Sequence, residues 1–162
     1  LLSDPAIMSA AGIDLAMQSE LAKHIPWTRR MLPSRTTYQN QDVELLKFIR
    51  DYQDRLLLKP NDEYGGKGIT IGWETSPEEW SQAIEAALES PFVVQERVHI
   101  AYEDYPSYVD GKLHIGRRLV DTDPYLFNTQ VQGALTRLST VTLLNVTAGG
   151  GSTVPTMLID AK

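Results

Sequence analysis

Leu56-Leu57-Leu58-Lys59-Pro60-Asn61-Asp62-Glu63-Tyr64-Gly65-Gly66-Lys67-Gly68-Ile69-Thr70-Ile71-Gly72 is the stretch on which the fold turns. An apolar run ends in Lys59, and a second β-like run follows a Gly-Gly-Lys-Gly loop. Three glycines in four positions let the backbone approach a ligand closely and present its N–H groups. Lys59 and Lys67 bracket the loop, which suits a polyphosphate beneath it. The phosphate-loop pattern is absent: Lys67 precedes Gly68 rather than Ser or Thr, and Asn61 stands where the first glycine belongs. The stretch therefore reads as a glycine-rich flap between two strands, not a loop-to-helix cradle. A surface hairpin whose glycines serve only the turn fits the same residues.

A chain of 162 residues can hold one domain with a proper core, or two small lobes. With 42% hydrophobic residues and a mean hydropathy of -0.25 it has an ordinary globular composition. A net charge of -6 argues against nonspecific nucleic-acid binding, which needs a basic excess to neutralise phosphates. It leaves room for a local cationic pocket. The absence of cysteine excludes disulfides, thiolate catalysis and cysteine zinc sites. His24, His99 and His114 lack metal-ligand spacing. No run approaches a membrane span and no signal peptide is evident, so the cytoplasm is the default location and no membrane partner is expected. The opening Leu1-Leu2-Ser3-Asp4-Pro5 starts in mid-pattern without an initiator Met, as a piece of a longer chain would.

Before the flap the chain reads as helical and then irregular. Asp4-Pro5 opens a first helix with Ile13, Leu15, Met17 and Leu21 as its apolar positions, stopped by Pro26. Pro26 to Tyr38 reads as loop, and Asp42 to Arg55 as a second helix with Val43, Leu46, Phe48 and Ile49 inward. After the flap, Ser76, Pro77 and Glu79 spell a capping box, and Trp80, Ala83, Ile84, Ala87 and Leu88 form one apolar stripe. Phe92 to Gln95 is a short buried strand. Tyr108-Val109 and Leu113-His114-Ile115 flank Asp110-Gly111, a strong hairpin signal, and β-like runs follow near Val131–Leu138, Val141–Val146 and Val154–Ile159. The class is α+β.

Four further groups carry possible chemistry. Gln95-Glu96-Arg97-Val98 closes a buried strand where the pattern turns all-β, and such a joint can offer backbone groups to a base edge. A plain strand end with solvated charges fits it as well. Asp121-Thr122-Asp123-Pro124 places two carboxylates at an expected strand end, where they are either hard oxygen ligands for Mg²⁺ or turn residues. Arg137 lies inside a β-like run, where a buried charge needs an anionic partner. Asn145 has a carbonyl oxygen suited to a metal, and Gly149-Gly150-Gly151-Ser152 allows close approach of a phosphate.

Taken in order, lysine, glycine flap, joint, acid, arginine and asparagine resemble the ATP-grasp superfamily, in particular its circularly permuted members. The resemblance spans roughly Leu56 to Pro155, led in by His24-Ile25-Pro26-Trp27-Thr28. It implies two lobes with largely antiparallel sheets and a glycine-rich flap gripping ATP: 1–55 a helical lead-in, 56–98 the flap-bearing lobe, and 99–162 an antiparallel metal and phosphate lobe. It also implies a role for each matched residue. Lys59 would meet the α-phosphate and adenine side, and Gly65, Gly66, Lys67 and Gly68 would cover the β- and γ-phosphates. The backbone from Gln95 and Glu96 to Arg97 and Val98 would read the adenine, with Glu103 on the ribose. Asp123 and Asn145 would hold Mg²⁺, while Arg137 and Lys67 would act on the transferred phosphate. The implied activity is ligation: a carboxylate becomes an acyl phosphate, which an amine attacks. The partners implied are nucleotide, a carboxylate, an amine and the rest of the parent polypeptide. One departure stands out: the family's metal-binding glutamate, two residues before the asparagine, is here Leu143. That favours a degenerate, non-catalytic module as the alternative. A third reading is an α+β interaction domain whose glycine loop is only a turn.

Overall fold

Residues 2–142 and 151–157 are described in the computed structural model. They form two units, residues 1–98 and 99–162. The class is α+β, with every strand pairing antiparallel.

In the first unit, Asp4 caps helix α1 (Pro5–Ala10), its carboxylate accepting from Ala6 N–H. The expected single helix does not continue. Gly12, at φ 74°, breaks it, and Asp14 caps a separate α2 (Leu15–Leu21) by accepting from Met17 N–H. The restart rotates the inward face: Leu15 and Met17 are exposed and Gln18 is buried, donating to Ile13 O at 2.7 Å.

The stretch expected to be loop carries two strands, β1 (Thr28–Arg30) and β2 (Arg35–Tyr38). The start expected for the next helix is instead β3 (Gln41–Glu44), paired with β2 across Gln39-Asn40, both at positive φ as a tight hairpin turn requires. Helix α3 (Leu45–Asp51) begins only where the Glu44 carboxylate accepts from Leu46 and Lys47 N–H. A short 3-10 turn (Gln53–Arg55) leads into β4 (Leu56–Pro60).

β5 (Thr70–Ile71) returns beside β4, and a second 3-10 turn (Gly72–Glu74) precedes α4 (Pro77–Leu88), capped by the full Ser76/Glu79 box. The turn packs so closely that a Cβ on Gly72 would stand 2.0 Å from Gln53 O. β6 (Phe92–Glu96) completes a sheet in the order β1-β6-β4-β5. Leu56, Leu58 and Val94 on one face of this sheet join Leu45, Phe48, Ile49, Trp80, Ile84 and Ala87 in one core. Within it, Trp80 Nε1 donates to Ile49 O at 3.1 Å, satisfying the indole where it is buried.

The second unit is a sheet in the order β10-β9-β8-β7: β7 (Ala101–Val109), β8 (Lys112–Phe127), β9 (Gln130–Ser139) and β10 (Gly151–Val154). The Asp110-Gly111 turn joins β7 to β8 with both residues at positive φ. A second turn, Asn128-Thr129, joins β8 to β9 in the same way. The Asp121 to Pro124 stretch, expected at a strand end, therefore lies inside the sixteen-residue β8. Pro124 is accommodated because β7 pairs with β8 only as far as Val120, leaving the missing N–H on an unpaired edge.

Candidate functional site

Register divides the sheet of the first unit into two faces. Leu56, Leu58, Val94 and Arg29 point to the helices; Leu57, Lys59, Val93, Gln95, Thr28 and Arg30 share the opposite face. That second face is largely uncovered: Lys59 and Arg30 are exposed, and Leu57, Val93, Gln95 and Thr28 are half-buried. Arg30, Val93 and Lys59 form one cross-strand row. Two strand spacings put the Cα atoms of the two cations about 10 Å apart. Neither side chain has a hydrogen bond or ion pair among the described residues. Behind them Gln95 Nε2 donates to Thr28 Oγ1 at 2.9 Å.

The flap springs from the end of β4 that carries Lys59. Asn61 N–H is anchored on Pro91 O at 2.8 Å, and the loop beyond it is held by longer turn bonds, Lys67 N–H to Tyr64 O at 3.2 Å and Ile69 N–H to Gly66 O at 3.4 Å. Gly65, Gly66 and Gly68 all have positive φ. A Cβ at Gly68 would also press Pro60 at 3.1 Å, so glycine serves both conformation and fit there. Lys67 reaches Glu63 at 3.5 Å with 72% of its side chain exposed, a pair weak enough to yield to a phosphate. The loop's chemistry, exposed glycine backbone between two lysines, suits a polyphosphate.

The joint at residues 95–98 is more committed than its sequence suggests. Glu96 N–H donates to Trp27 O at 2.9 Å, and its carboxylate accepts from Trp27 N–H at 2.6 Å, so both stitch β1 to β6. Burial, followed by the charge of Glu96, pushes the Tyr38 hydroxyl up from its ordinary pKa. Arg97 N–H donates to Arg55 O at 2.7 Å, and its guanidinium lies 4.3 Å from the Trp73 ring centroid. Val98, 55% exposed, keeps an N–H without a partner among the described residues.

In the second unit Asp121, Asp123 and Arg137 meet on one face of the sheet, Asp121 directly opposite Arg137. Arg137 Nε donates to Asp121 Oδ2 at 2.8 Å, its Nη2 reaches the same oxygen, and Nη2 lies 3.0 Å from Asp123 Oδ2. The anionic partner that Arg137 requires is thus a pair of acids, and Asp123 is tied to the arginine. Glu103, on β7, lies opposite Arg118 of β8, on the other face of the sheet from this clamp. Asn145 and Leu143 lie outside the described residues. Among the described residues no group of three or more His, Cys, Asp or Glu could hold a metal ion. Arg137 holds Oδ2 of both aspartates, so this pair by itself offers Mg²⁺ few oxygens and would leave most of its shell to other ligands.

Arg30 was not singled out in the sequence, because Pro26 to Tyr38 reads as loop. Its signal is the alternation Trp27, Arg29 and Met31 buried with Thr28 and Arg30 outward, a strand period too short to stand out among prolines.

No protein-family model matches the chain. A curated protein from Frankia casuarinae, named "Putative glutamate--cysteine ligase 2-2", is 30% identical over 124 residues, covering 72% of this chain and 14% of that protein. The chain thus spans about a seventh of the relative it matches. No helix among the described residues is long and apolar enough to cross a membrane.

Proposed function

We propose that the chain is the ATP-gripping portion of an ATP-grasp ligase that activates a carboxylate for attack by an amine. The observation that carries the reading is Lys59, an exposed cation, unpaired among the described residues, on the open sheet face at the base of a glycine loop. Likeness to a protein named as a glutamate–cysteine ligase supports it, since joining those two amino acids is carboxylate–amine ligation.

In this reading the open face of β4 and β6 receives the nucleotide. Lys59 neutralises the phosphates nearest the sheet, and the flap closes over the outer ones through Lys67 and the N–H groups of Gly65, Gly66 and Gly68. A carboxylate oxygen attacks the γ-phosphorus while the bond to the departing ADP oxygen breaks. The amine then attacks the acyl carbon, phosphate leaves, and the nitrogen loses a proton. The chain contributes position and charge, with no protein nucleophile.

The test is amide exchange across Asn61 to Ile69. The loop has few buried contacts, so its amides exchange fast alone and slow when ATP and Mg²⁺ are added. Exchange there that is already slow, or indifferent to nucleotide, refutes the flap and leaves a plain hairpin.

A second reading, a degenerate module that binds nucleotide without catalysis, is favoured by two particulars. Leu143 cannot coordinate a metal, and Arg137 already holds one oxygen of each of Asp121 and Asp123. Leu143→Glu separates the two: it strengthens Mg²⁺-dependent ATP binding if the site is merely depleted, and changes nothing if the module has lost the site.

A further inference from the structure

A cavity of about 700 Å³ lies within the first unit, beside edge strand β1. That volume is of the size that small organic ligands occupy. Ile7, Leu32, Phe92 and Val93 supply an apolar wall, and Asp4, Arg29, Arg30 and Arg35 supply its charges.

The charges are not equivalent. Arg29 is buried and spends its donors on Thr36 Oγ1, Ser3 O, Thr28 O and Thr37 O, with Asp4 at 3.6 Å. Arg35 donates to Asp42 through both Nε and Nη2, at 3.0 and 2.6 Å. Asp4 is shared between the α1 cap and Arg29. Arg30 alone of the four has no hydrogen bond or ion pair among the described residues. The cavity therefore offers one uncommitted guanidinium against a mainly hydrocarbon wall.

One planar guanidinium with a free pair of donors matches one carboxylate, two N–H groups to two oxygens. A phosphate dianion would want a second cation, and the other two arginines are engaged. We propose that this cavity is a carboxylate subsite, in which Arg30 holds the carboxylate of a small molecule whose apolar body rests on Ile7, Leu32 and Phe92. The cross-strand row then gives the subsite a use. Lys59 stands about 10 Å from Arg30 between Cα atoms, within one side chain's reach at either end. A carboxylate released from Arg30 toward Lys59 arrives at bound phosphate, which makes its occupant the acceptor of the ligation. That last assignment rests on the ligase reading; binding at Arg30 does not.

The experiment is a titration of the ¹⁵N-labelled chain with sodium butyrate, one carboxylate on a short apolar tail, against sodium chloride at equal ionic strength. Saturable shifts at the Arg30 side-chain N–H and at the Ile7, Leu32 and Phe92 amides are expected. Arg30→Gln, an exposed substitution, weakens binding about tenfold, the scale of one charge-assisted contact. Inorganic phosphate at the same concentrations leaves these resonances in place. The proposal is overturned if butyrate gives no saturable shift, if Arg30→Gln titrates like the parent, or if phosphate or ATP displaces butyrate, which would place Arg30 in the nucleotide site. ATP is titrated separately. Butyrate binding without ATP binding removes the ligase reading and keeps the subsite, and the reverse result does the opposite.

Discussion

Arg137→Gln removes the cation that holds two aspartates together on β8, and its cost can be worked from the contacts. Arg137 makes three charged contacts with Asp121 and Asp123, with side chains 30%, 27% and 43% exposed. Fully exposed pairs contribute about 0.2–1 kcal/mol and drier charged hydrogen bonds about 1.5–3, so groups near one-third exposed should lose about 1–2 kcal/mol together. The variant also leaves Asp121 and Asp123 facing the same way about 6.6 Å apart, repelling by about 0.6 kcal/mol at the dielectric of water. The expected total is about 2 kcal/mol at low salt. At about 1 M NaCl the Debye length shrinks to about 3 Å, so the repulsion vanishes and the cost falls toward 1 kcal/mol. The assay is native-state amide exchange of β8 and β9 at both salt concentrations. Tryptophan fluorescence serves as the control, since Trp27, Trp73 and Trp80 all belong to the first unit. Unchanged exchange at low salt, or an equal cost at both salts, would refute the clamp as an electrostatic device.

Lys59→Ala should weaken ATP binding at least tenfold, about 1.4 kcal/mol, while urea unfolding stays unchanged because the side chain is exposed and has no partner among the described residues. Glu79→Gln should destabilise α4 near neutral pH and cease to matter in acid. Backbone, then side-chain, hydrogen bonds from Ser76 hold the Glu79 carboxyl below its ordinary pKa, so its contribution is present above about pH 4.3 and lost as pH falls through the folded value. Thermal unfolding of the two proteins from pH 7 down to pH 3 should converge; a constant gap contradicts the capping account. Gly72→Ala should cost about 3 kcal/mol, since the new Cβ meets Gln53 O and Leu56 O, two backbone atoms that cannot swing aside. A urea midpoint equal to the parent's would show that the turn yields.

What the sequence disclosed was whatever rested on local chemistry. The Ser76-Pro77-Glu79 start, the Trp80 stripe, the Asp110-Gly111 turn and the paired strands around the flap all carry their own signals, and the structure has each of them. The errors fell where a cap or turn had to be recognised among weaker cues. Gly12 and Asp14 divide one apparent helix in two, and Gln39-Asn40 makes a hairpin without a Gly to announce it. Asp121 and Asp123 read as standing at a strand end because Pro124 follows them, yet the unpaired edge of β8 tolerates the proline and the strand runs on. The candidate site was legible as residue types and not as geometry. Lys59 and the flap come from one hairpin, so sequence order places them together. Only register shows that Arg30 joins the Lys59 row, that Glu103 lies behind the sheet from Arg137, and that Arg137 is already held by two acids.

The most direct measurement is calorimetric titration of the chain with ATP, with and without MgCl₂. Saturable binding that tightens with Mg²⁺ and is lost at least tenfold in Lys59→Ala is the predicted result. No heat of binding under either condition, or binding that ignores Lys59, would contradict the nucleotide site and leave the glycine loop as a turn.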